Sequence, residues 1–238
     1  CRHIADINLP YTENSRRYLL SEGIDGKTIF VTGSPMREVI TKNIDGIAKS
    51  DILDKLALKK NSYIVVSAHR EENIDSEENF IELVKSINDI AAKYQVPVIY
   101  STHPRTRKII DKRGVIFNPL VINTKPFGFC DYIKLQSNAL VVLSDSGTLT
   151  EESAILGFPG VLIRTSTERP EGLDAGTIVV GGIKSRDVLA ASELTINLAK
   201  ERQDMPLSSD YSSTDVSMKV VKIIQSYTHI VNKTTWLR

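Results

Sequence analysis

Residues 144–152 combine hydroxyl side chains, a glycine and carboxylates at a point where a buried strand is predicted to end and a helix to begin. An apolar run of strand length, 139–143, precedes them, and a helix-like pattern to Leu156 follows and ends at Gly157. The first N–H groups of a helix lack partners within it and, with the helix dipole, attract anions such as phosphate. Glu152, one turn into the helix, would repel phosphate but can accept hydrogen bonds from a sugar diol. The segment therefore predicts a cradle for a nucleotide sugar.

A well-capped ordinary helix is the competing interpretation of the same residues. Thr148 and Glu151 have the spacing of a capping box, in which each side chain accepts a hydrogen bond from the other residue's backbone N–H. The chain has no Gly-x-Gly-x-x-Gly here and no Gly-Lys-Ser/Thr. Both a dinucleotide fingerprint and a P-loop ATPase are therefore disfavoured.

Two histidines also follow predicted strands. His69 comes directly after the apolar run 63–68 and precedes Arg70, so it could donate to a pyrophosphate oxygen or act as an acid or base. His103 has a similar position, but the following proline allows it simply to shape a turn. For His69, a structural role stays open as well.

An arginine and several aromatic residues complete the candidates. Arg169 lies in the polar segment 165–172, where it could bind a phosphate or form a local ion pair in a solvated loop. Phe127, Phe129 and Tyr132 begin a predicted helix and could stack on a base or belong to the core.

Strands and helices alternate along the chain. We predict strands at 27–32, 63–68, 96–101, 115–117, 140–143, 160–163 and 178–180, and helices at 76–94, 125–137, 151–156, 186–200 and 214–231. This order predicts an α/β protein with a doubly wound parallel sheet. Ligands of such sheets bind beyond the carboxyl ends of the strands. The polar clusters at 33–34, 69–71, 103–105, 144–148 and 164–168 all follow predicted strands and so indicate one shared binding edge.

Composition excludes several other classes. The 238 residues carry a formal net charge of +1, too small an excess of Lys and Arg for nucleic-acid binding. Cys1 and Cys130 cannot form a disulfide framework, and no histidine or cysteine pair has the spacing of metal ligands. No apolar run has membrane-spanning length. We therefore expect a cytoplasmic protein without metal, membrane or nucleic-acid partners.

Both ends of the chain predict a missing partner. The chain opens with Cys1 in mid-pattern, which favours a fragment that lacks an N-terminal portion, with a trimmed whole protein as the alternative. The helix at 214–231 has too many apolar residues for one narrow stripe. We expect Val220, Ile223, Ile224 and Tyr227 to be exposed or to pack against another copy.

Taken together, the motifs resemble the non-hydrolysing UDP-N-acetylglucosamine 2-epimerase family. They occur in the family's order, at 31–35, 68–73, 144–147 with 151–152, and 168–171. The amino-acid sequence of 148–153 and 169–172 is most similar to the branch of the family that makes UDP-N-acetyl-L-fucosamine. Members of that branch invert C2 of a UDP-2-acetamido-2,6-dideoxy-L-talose for capsule or O-antigen synthesis.

The resemblance implies a glycosyltransferase-B type fold, with two Rossmann-like domains and a site in the cleft between them. This chain would supply the C-terminal half: residues 1–25 would enter from the missing N-terminal domain, 26–212 would form the UDP-binding domain, and 213–238 would cross back. The resemblance also implies a homodimer as an expected assembly. Because the acid/base carboxylates of the family lie in the N-terminal domain, the chain alone should bind UDP weakly and be inactive.

Site residues follow from the resemblance position by position. Backbone N–H groups of Ser146, Gly147 and Thr148 would hold the pyrophosphate, Glu152 the ribose hydroxyls, and Arg169 the nucleotide. The common family pattern has a second glycine where this chain has Thr148, a change that preserves backbone donation.

The resemblance also places Tyr132 against the uracil and His69 beside the phosphates or the departing sugar. Arg70 and His103 are further candidates for the same site. Phe127 replaces a polar residue of the family, which puts a side-chain contact to the base in doubt.

The implied reaction eliminates UDP to a 2-acetamidoglucal-like intermediate and adds it back with the opposite configuration at C2. It requires no NAD, pyridoxal phosphate or metal. A hydrolysing 2-epimerase, the donor-binding domain of a glycosyltransferase and a simple binding module are the alternatives.

Overall fold

The computed structural model describes residues 3–167, 169–201 and 209–237. Cys1 and Glu168 lie outside the described residues. The chain divides into two compact units, Cys1–Asn43 with Leu207–Arg238, and Ile44–Pro206. The assignment of residues 1–25 and 213–238 to connections with a further domain stays a prediction.

Six strands lie in one sheet of the described chain: β1 Ile64–Ser67, β2 Val98–Ser101, β3 Val121–Thr124, β4 Val141–Ser144, β5 Gly160–Leu162 and β6 Ile178–Val180. The helices are α1 Glu13–Ser21, α2 Met36–Lys42, α3 Ile44–Lys49, α4 Ile52–Lys55, α5 Glu71–Ile74, α6 Glu77–Tyr94, α7 Pro104–Lys112, α8 Phe129–Asn138, α9 Thr148–Leu156, α10 Glu171–Asp174, α11 Ser185–Glu201 and α12 Val216–Thr234. Short 3₁₀ turns occur at Gly26–Thr28 and Ser209–Tyr211.

The sheet belongs to the second unit and is covered on both faces. Successive side chains of a strand point to opposite faces. Accordingly, Ile64 and Val66 of β1 pack with α6 and α11, whereas Val65 packs with α8 and α9. The amphipathic helix α6 begins where predicted, because the Ser76 hydroxyl accepts a hydrogen bond from the Asn79 N–H at 3.4 Å. Burial on both faces explains why the central strands are continuous apolar runs.

The strand order creates one crevice at the carboxyl edge. All strands are parallel in the order β3-β2-β1-β4-β5-β6. The chain thus builds outward from β1 to β3, then returns and continues from β4 to β6 on the other side. In register, Ser67 at the end of β1 lies beside Ser144 at the end of β4. Such a reversal point is where open α/β sheets bind ligands. The expected α/β class and Rossmann-like, doubly wound parallel sheet are confirmed.

Two helices of the first unit, α2 and α12, are connected through one carboxylate. The Ser217 N–H in the first turn of α12 donates to Glu38 Oε2 of α2 at 2.9 Å, and the Ser217 hydroxyl also donates to this carboxylate. Lys42 pairs with the same side chain at 2.7 Å. Hydrogen bonds from Lys42 and Ser217 lower the pKa of Glu38 to about 2. The buried carboxylate therefore satisfies an N–H group that the first turn of α12 cannot satisfy itself.

The apolar side of α12 is only partly covered. The ring of Tyr227 contacts Phe30, with 4.7 Å between centroids, and Val220, Ile223 and Tyr227 are half-buried. Ile224 remains 58% exposed. An open groove of about 460 Å³ runs beside these residues within the first unit, lined in part by Ile7, Leu9 and Trp236.

The strand predicted at 27–32 is wrong. Residues Gly26–Thr28 form a 3₁₀ turn, whose Lys27 N–H donates to the Asp25 carboxylate at 3.0 Å. Ile29 makes only an isolated parallel bridge with Asn8. The cluster at 33–34 therefore belongs to the first unit and follows no strand of the sheet.

The strand predicted at 115–117 is also wrong. After Gly114, whose φ is +59°, the chain forms a loop in which Ile116 is 86% exposed. The real edge strand, β3, starts at Val121 and mixes polar with apolar residues, so an apolar run could not reveal it. The other predicted strands and helices are present, with ends shifted by a few residues. In the described part of the chain, every helix is too short or too polar to cross a membrane.

Candidate functional site

The predicted cradle lies at the crevice between β1 and β4. After Ser144 the backbone turns, and α9 begins at Thr148 with Gly147 as its N-cap. The N–H of Ser146 donates to the Ser144 hydroxyl at 3.0 Å. The hydroxyl groups of Ser146 and Thr148 contact each other at 2.9 Å. The N–H of Thr148, the first residue of the nine-residue helix α9, donates to the Ser146 hydroxyl at 3.3 Å, whereas the N-cap Gly147 has no side chain that could accept a hydrogen bond.

The capping-box interpretation of this helix is wrong. Thr148 is the first helical residue and not the N-cap, so its side chain does not have the position that the box requires. Glu151, buried within the second unit, instead forms an ion pair with Arg169, with 2.8 Å between Oε1 and Nη1.

Arg169 brings positive charge to the cradle from the loop after β5. Its guanidinium is so close to Gly147 that a Cβ added at this glycine would lie 2.9 Å from Nη1. A cation at the positive end of a helix is unfavourable unless an anion compensates it. Glu151 supplies that compensation here, and a phosphate could share it. The structure thus brings Arg169 beside Gly147, as a shared site requires.

Glu152 points into the protein rather than away from it. Its side chain is 7% exposed, and Oε2 accepts a hydrogen bond from Gln136 Nε2 at 2.7 Å. Burial raises the pKa of Glu152, although hydrogen bonds with Gln136 and Thr148 oppose the rise. A carboxylate held this way is an acceptor of fixed position, suited to a hydroxyl pair.

Phe127 lies just before α8, and Tyr132 lies in the first turn of this helix. Both are half-buried and pack against the core between the sheet and α8. The Tyr132 hydroxyl makes hydrogen bonds with Ser67 and Gln136, while burial and the neighbouring Glu152 raise its pKa. Tyr132 is thus connected to both Glu152 and the end of β1.

Asp145 is the important residue to which the sequence alone assigns no role. It is completely buried, and its Oδ2 accepts hydrogen bonds from the N–H groups of His69 and Arg70, each at 2.8 Å. Asn73 Nδ2 donates to the same oxygen at 3.1 Å and also to the Ile163 carbonyl. Asp145 therefore joins the ends of β1 and β4. An acid directly after a buried strand is the available signal, but its partners depend on the strand order.

The other predicted site residues, His69, Arg70 and His103, line a cavity at the same edge of the sheet. It measures about 460 Å³ and is bounded by His69, Arg70, Glu71, Glu72, His103 and Arg105. The two imidazole rings lie 6.5 Å apart. The structure therefore brings together His69, Arg70 and His103.

His103 has an evident structural role. Its Nδ1 accepts a hydrogen bond from the Arg105 N–H at 3.3 Å and so caps α7. This contact supports the interpretation of His103 as a turn-shaping residue. Among the described residues, no group of three or more His, Cys, Asp or Glu side chains could hold a metal ion.

Comparisons with known proteins identify the family of this chain. Residues 1–225 match the family model described as UDP-N-acetylglucosamine 2-epimerase. The protein of that name from Methanococcus maripaludis is 32% identical over 198 residues, which are 80% of this chain and 54% of the relative.

Solved structures give the same result. The UDP-N-acetylglucosamine 2-epimerase from Rickettsia bellii has a TM-score of 0.86 and 37% identity, covering 100% of this chain and 64% of that one. The Methanocaldococcus jannaschii enzyme, solved in complex with UDP-GlcNAc and UDP, has a TM-score of 0.85 and 27% identity, covering 94% of this chain and 62% of that one.

The chain therefore spans between 54% and 64% of the length of these relatives. The family match covers far more than half of this sequence and includes every element of the parallel sheet. The chain belongs to the UDP-N-acetylglucosamine 2-epimerase family.

Proposed function

We propose that this chain binds the UDP group of a UDP-N-acetylhexosamine and is the C-terminal, UDP-binding part of a 2-epimerase. The observation that carries the proposal is the start of α9 at the crevice between β1 and β4, with Glu152 buried one turn further on. The relative from Methanocaldococcus jannaschii, whose structure contains UDP-GlcNAc and UDP, supports the choice of ligand.

Each group at the cradle has a task in this proposal. The pyrophosphate would accept hydrogen bonds from the backbone at Ser146, Gly147 and Thr148. The N–H groups of Ser146 and Thr148 would exchange their hydroxyl acceptors on Ser144 and Ser146 for phosphate oxygens. Arg169 would keep its contact with Glu151 and add a charge-assisted bond to phosphate. Its position beside Gly147 supports this task, since both groups would meet the same anion.

The nucleoside would occupy the adjoining side of the crevice. Glu152 would accept hydrogen bonds from the ribose hydroxyls, and Tyr132 would contact the uracil. The hydrogen bond from Gln136 to Glu152 supports this arrangement because it holds the acceptor in place before the ligand arrives.

The proposed reaction inverts C2 through elimination and re-addition. Removal of the C2 proton and cleavage of the bond between C1 and the phosphate oxygen form a C1–C2 double bond, and the bonding electrons leave on UDP. Protonation of C2 on the opposite face and return of UDP to C1 complete the inversion. The cradle, Arg169 and His69 would stabilise the negative charge on the departing UDP.

The acid/base carboxylates for C2 would come from an N-terminal domain of a longer protein. The length of the relatives supports this proposal. We also propose membership of the UDP-N-acetyl-L-fucosamine branch, hence a role in capsule or O-antigen synthesis in the cytoplasm, with a homodimer as the assembly. The amino-acid sequence of residues 148–153 and 169–172 supports membership of this branch. The mechanism needs no cofactor.

Product analysis of the protein with its N-terminal domain tests this function. We expect UDP-2-acetamido-2,6-dideoxy-L-talose to be converted to its C2 epimer with UDP still attached and with deuterium entering C2 in D₂O. If the protein instead prefers UDP-GlcNAc as substrate, the assignment to the UDP-N-acetyl-L-fucosamine branch is wrong, but the proposed 2-epimerase activity stands. Release of UDP with free sugar would indicate a hydrolysing enzyme, and turnover only with an added sugar acceptor would indicate a glycosyltransferase. The 238-residue chain alone should give no product.

A further inference from the structure

The contact between Asp145 and His69 has a feature that loop anchoring does not explain. Asp145 Oδ2 accepts three hydrogen bonds, but the equally buried Oδ1 has no hydrogen-bond donor among the described residues. A buried carboxylate oxygen without a donor is costly. Oδ1 lies 3.6 Å from Nδ1 of the His69 ring. The imidazole is thus the group that this oxygen faces.

We propose that Asp145 is a positioning residue for His69. The Asp145 carboxylate holds the imidazole ring with its proton on Nδ1, so that Nε2 faces the ligand. A carboxylate beside Nδ1 favours a proton on that nitrogen, because a bare nitrogen there would repel the oxygen. The 3.6 Å separation is slightly longer than a hydrogen bond, so the proposal requires a small rotation of the ring towards Oδ1. Since Nε2 lies on the other side of the ring, this nitrogen is left for the substrate.

The surroundings of His69 leave Asp145 as the carboxylate that acts on its ring. The His69 side chain is 47% exposed, so the ring reaches the cavity, whereas Asp145 is fully buried. Two other acids line the same cavity. Glu71 pairs with Arg105 at 2.6 Å, and Glu72 lies 3.5 Å from Arg164.

The basic neighbours of His69 are also accounted for. Arg105 contacts Asp75 at 2.7 Å in addition to Glu71, and Arg70 lies 3.9 Å from Glu72. The His103 ring lies 6.5 Å from that of His69, and its Nδ1 already accepts the Arg105 N–H. Among these charged neighbours, Asp145 is the fully buried one, and its free oxygen faces Nδ1 of the His69 ring.

The role of this orientation in turnover rests on the proposed function, but the orientation itself does not. With the proton on Nδ1, a neutral Nε2 can accept a proton, and a charged ring can donate from Nε2 to a phosphate oxygen of the departing UDP. A histidine with the opposite tautomer would have its bare nitrogen facing Asp145. Substitutions at Asp145 therefore change what Nε2 can do without removing His69.

Nitrogen NMR of the ¹⁵N-histidine-labelled, 238-residue chain tests the orientation directly. At mildly alkaline pH, we expect the His69 signal, assigned from its loss in His69→Gln, to show a protonated Nδ1 and a bare Nε2. A proton on Nε2 in the native chain would overturn the proposal. No ligand or turnover is needed, so this result is separate from the fate of the proposed function.

Asp145→Asn gives the second readout. If the amide oxygen continues to accept from the N–H groups of His69 and Arg70, its NH₂ group faces Nδ1, and the His69 tautomer should reverse. The His103 signal should stay unchanged and serves as an internal control. An unchanged His69 tautomer in a folded variant would contradict the positioning role; if the variant does not fold, the native spectrum decides.

A double-mutant cycle in the protein with its N-terminal domain separates positioning from general support. We expect Asp145→Asn to lower kcat by about 10²-fold with little change in KM, which is the scale of a lost proton-transfer group. In a His69→Gln background the same substitution should cost little further, since its effect acts through the ring. An equal loss in both backgrounds would show that Asp145 acts only through the fold.

Discussion

Charge balance at the start of α9 depends on three residues: Glu151, Arg169 and Gly147. The Arg169 guanidinium lies at the positive end of the helix, and the buried Glu151 compensates it at 2.8 Å. Gly147 provides the space, because any side chain there would meet the guanidinium. A larger residue at this position would force the flexible end of Arg169 to move, whereas the backbone φ of −63° is open to other residues.

Gly147→Ala should weaken UDP binding while leaving the fold intact. The new Cβ would lie 2.9 Å from Arg169 Nη1 and displace the guanidinium from the cradle. Loss of a charge-assisted hydrogen bond costs about 1.5–3 kcal/mol, or about 10–150-fold in affinity. Calorimetric titration with UDP measures the change.

Gly128→Ala is the matched control for that experiment. Gly128 is the N-cap of α8, and a Cβ there would have no atom within 4 Å. Its substitution should leave the UDP affinity unchanged. Equal affinities of Gly147→Ala and the native chain would show that Arg169 does not bind the phosphates.

Glu152→Gln should stabilise the protein at neutral pH and weaken UDP binding about tenfold, the order of one hydrogen bond to a charged group. Burial raises the pKa of Glu152, so its carboxyl favours the fold fully only below about pH 4.5, the ordinary value. The advantage is lost as pH rises through the raised pKa, whereas glutamine stays neutral. The difference in free energy of unfolding between variant and native chain should therefore grow in favour of glutamine as pH rises.

Urea unfolding between acid and neutral pH measures this trend, with the exposed Glu78→Gln on α6 as a control that should show little of it. A Glu152→Gln chain that binds UDP as tightly as the native one would remove the carboxylate from the proposed ribose site.

At the level of elements, the contact of α2 with α12 supports the first unit through one carboxylate. Hydrogen bonds lower the pKa of Glu38 from its ordinary 4.5 to about 2. A group with a lowered pKa contributes stability above its unfolded pKa and loses this contribution as pH falls through the folded value. The contribution of Glu38 should therefore be complete above about pH 4.5 and decline towards pH 2.

Glu38→Gln tests this contribution. The native chain should be more stable than the variant at pH 7, and the difference should shrink as pH falls from 4.5 to 2. Unfolding followed by the helical circular dichroism signal measures both, with Glu13→Gln as the control on the exposed surface of α1. A difference that does not change with pH would show that the ionised carboxylate is not what supports α12.

Elements with a strong periodic pattern were predictable from the sequence, whereas elements defined by their neighbours were not. The apolar face of α6 and its N-cap Ser76 can both be recognised within one continuous stretch of sequence. The edge strand β3 pairs on one side only and tolerates polar residues, so its pattern is weak. The apolar residues 115–117 instead form a loop.

The same distinction applies to the candidate site. Strand-end polarity predicted where Ser146, His69 and Arg169 would come together, because parallel strands share one carboxyl edge. The pairing of Glu151 with Arg169 and of Asp145 with the segment after β1 depends on which strands are adjacent. Partners 75 residues apart, such as Arg70 and Asp145, leave no mark in local sequence.

At the level of the whole molecule, the parallel sheet and its crevice provide the proposed nucleotide site, while catalysis is proposed to need more than this chain. The relatives are longer, with 54% to 64% of their length matched. The open groove beside α12 lies within the first unit and is lined in part by half-buried apolar residues. Binding by the chain without turnover is therefore the expected behaviour.

Titration of the ¹⁵N-labelled, 238-residue chain with UDP is the most direct test of the nucleotide site. We expect saturable shifts of the amide signals of Ser146, Gly147 and Thr148, with smaller shifts at His69, and about tenfold weaker binding in Glu152→Gln. Uridine, which lacks the phosphates, should leave the three cradle amides nearly unchanged. Cradle amides that do not respond to millimolar UDP, or that respond equally to uridine, would contradict the account.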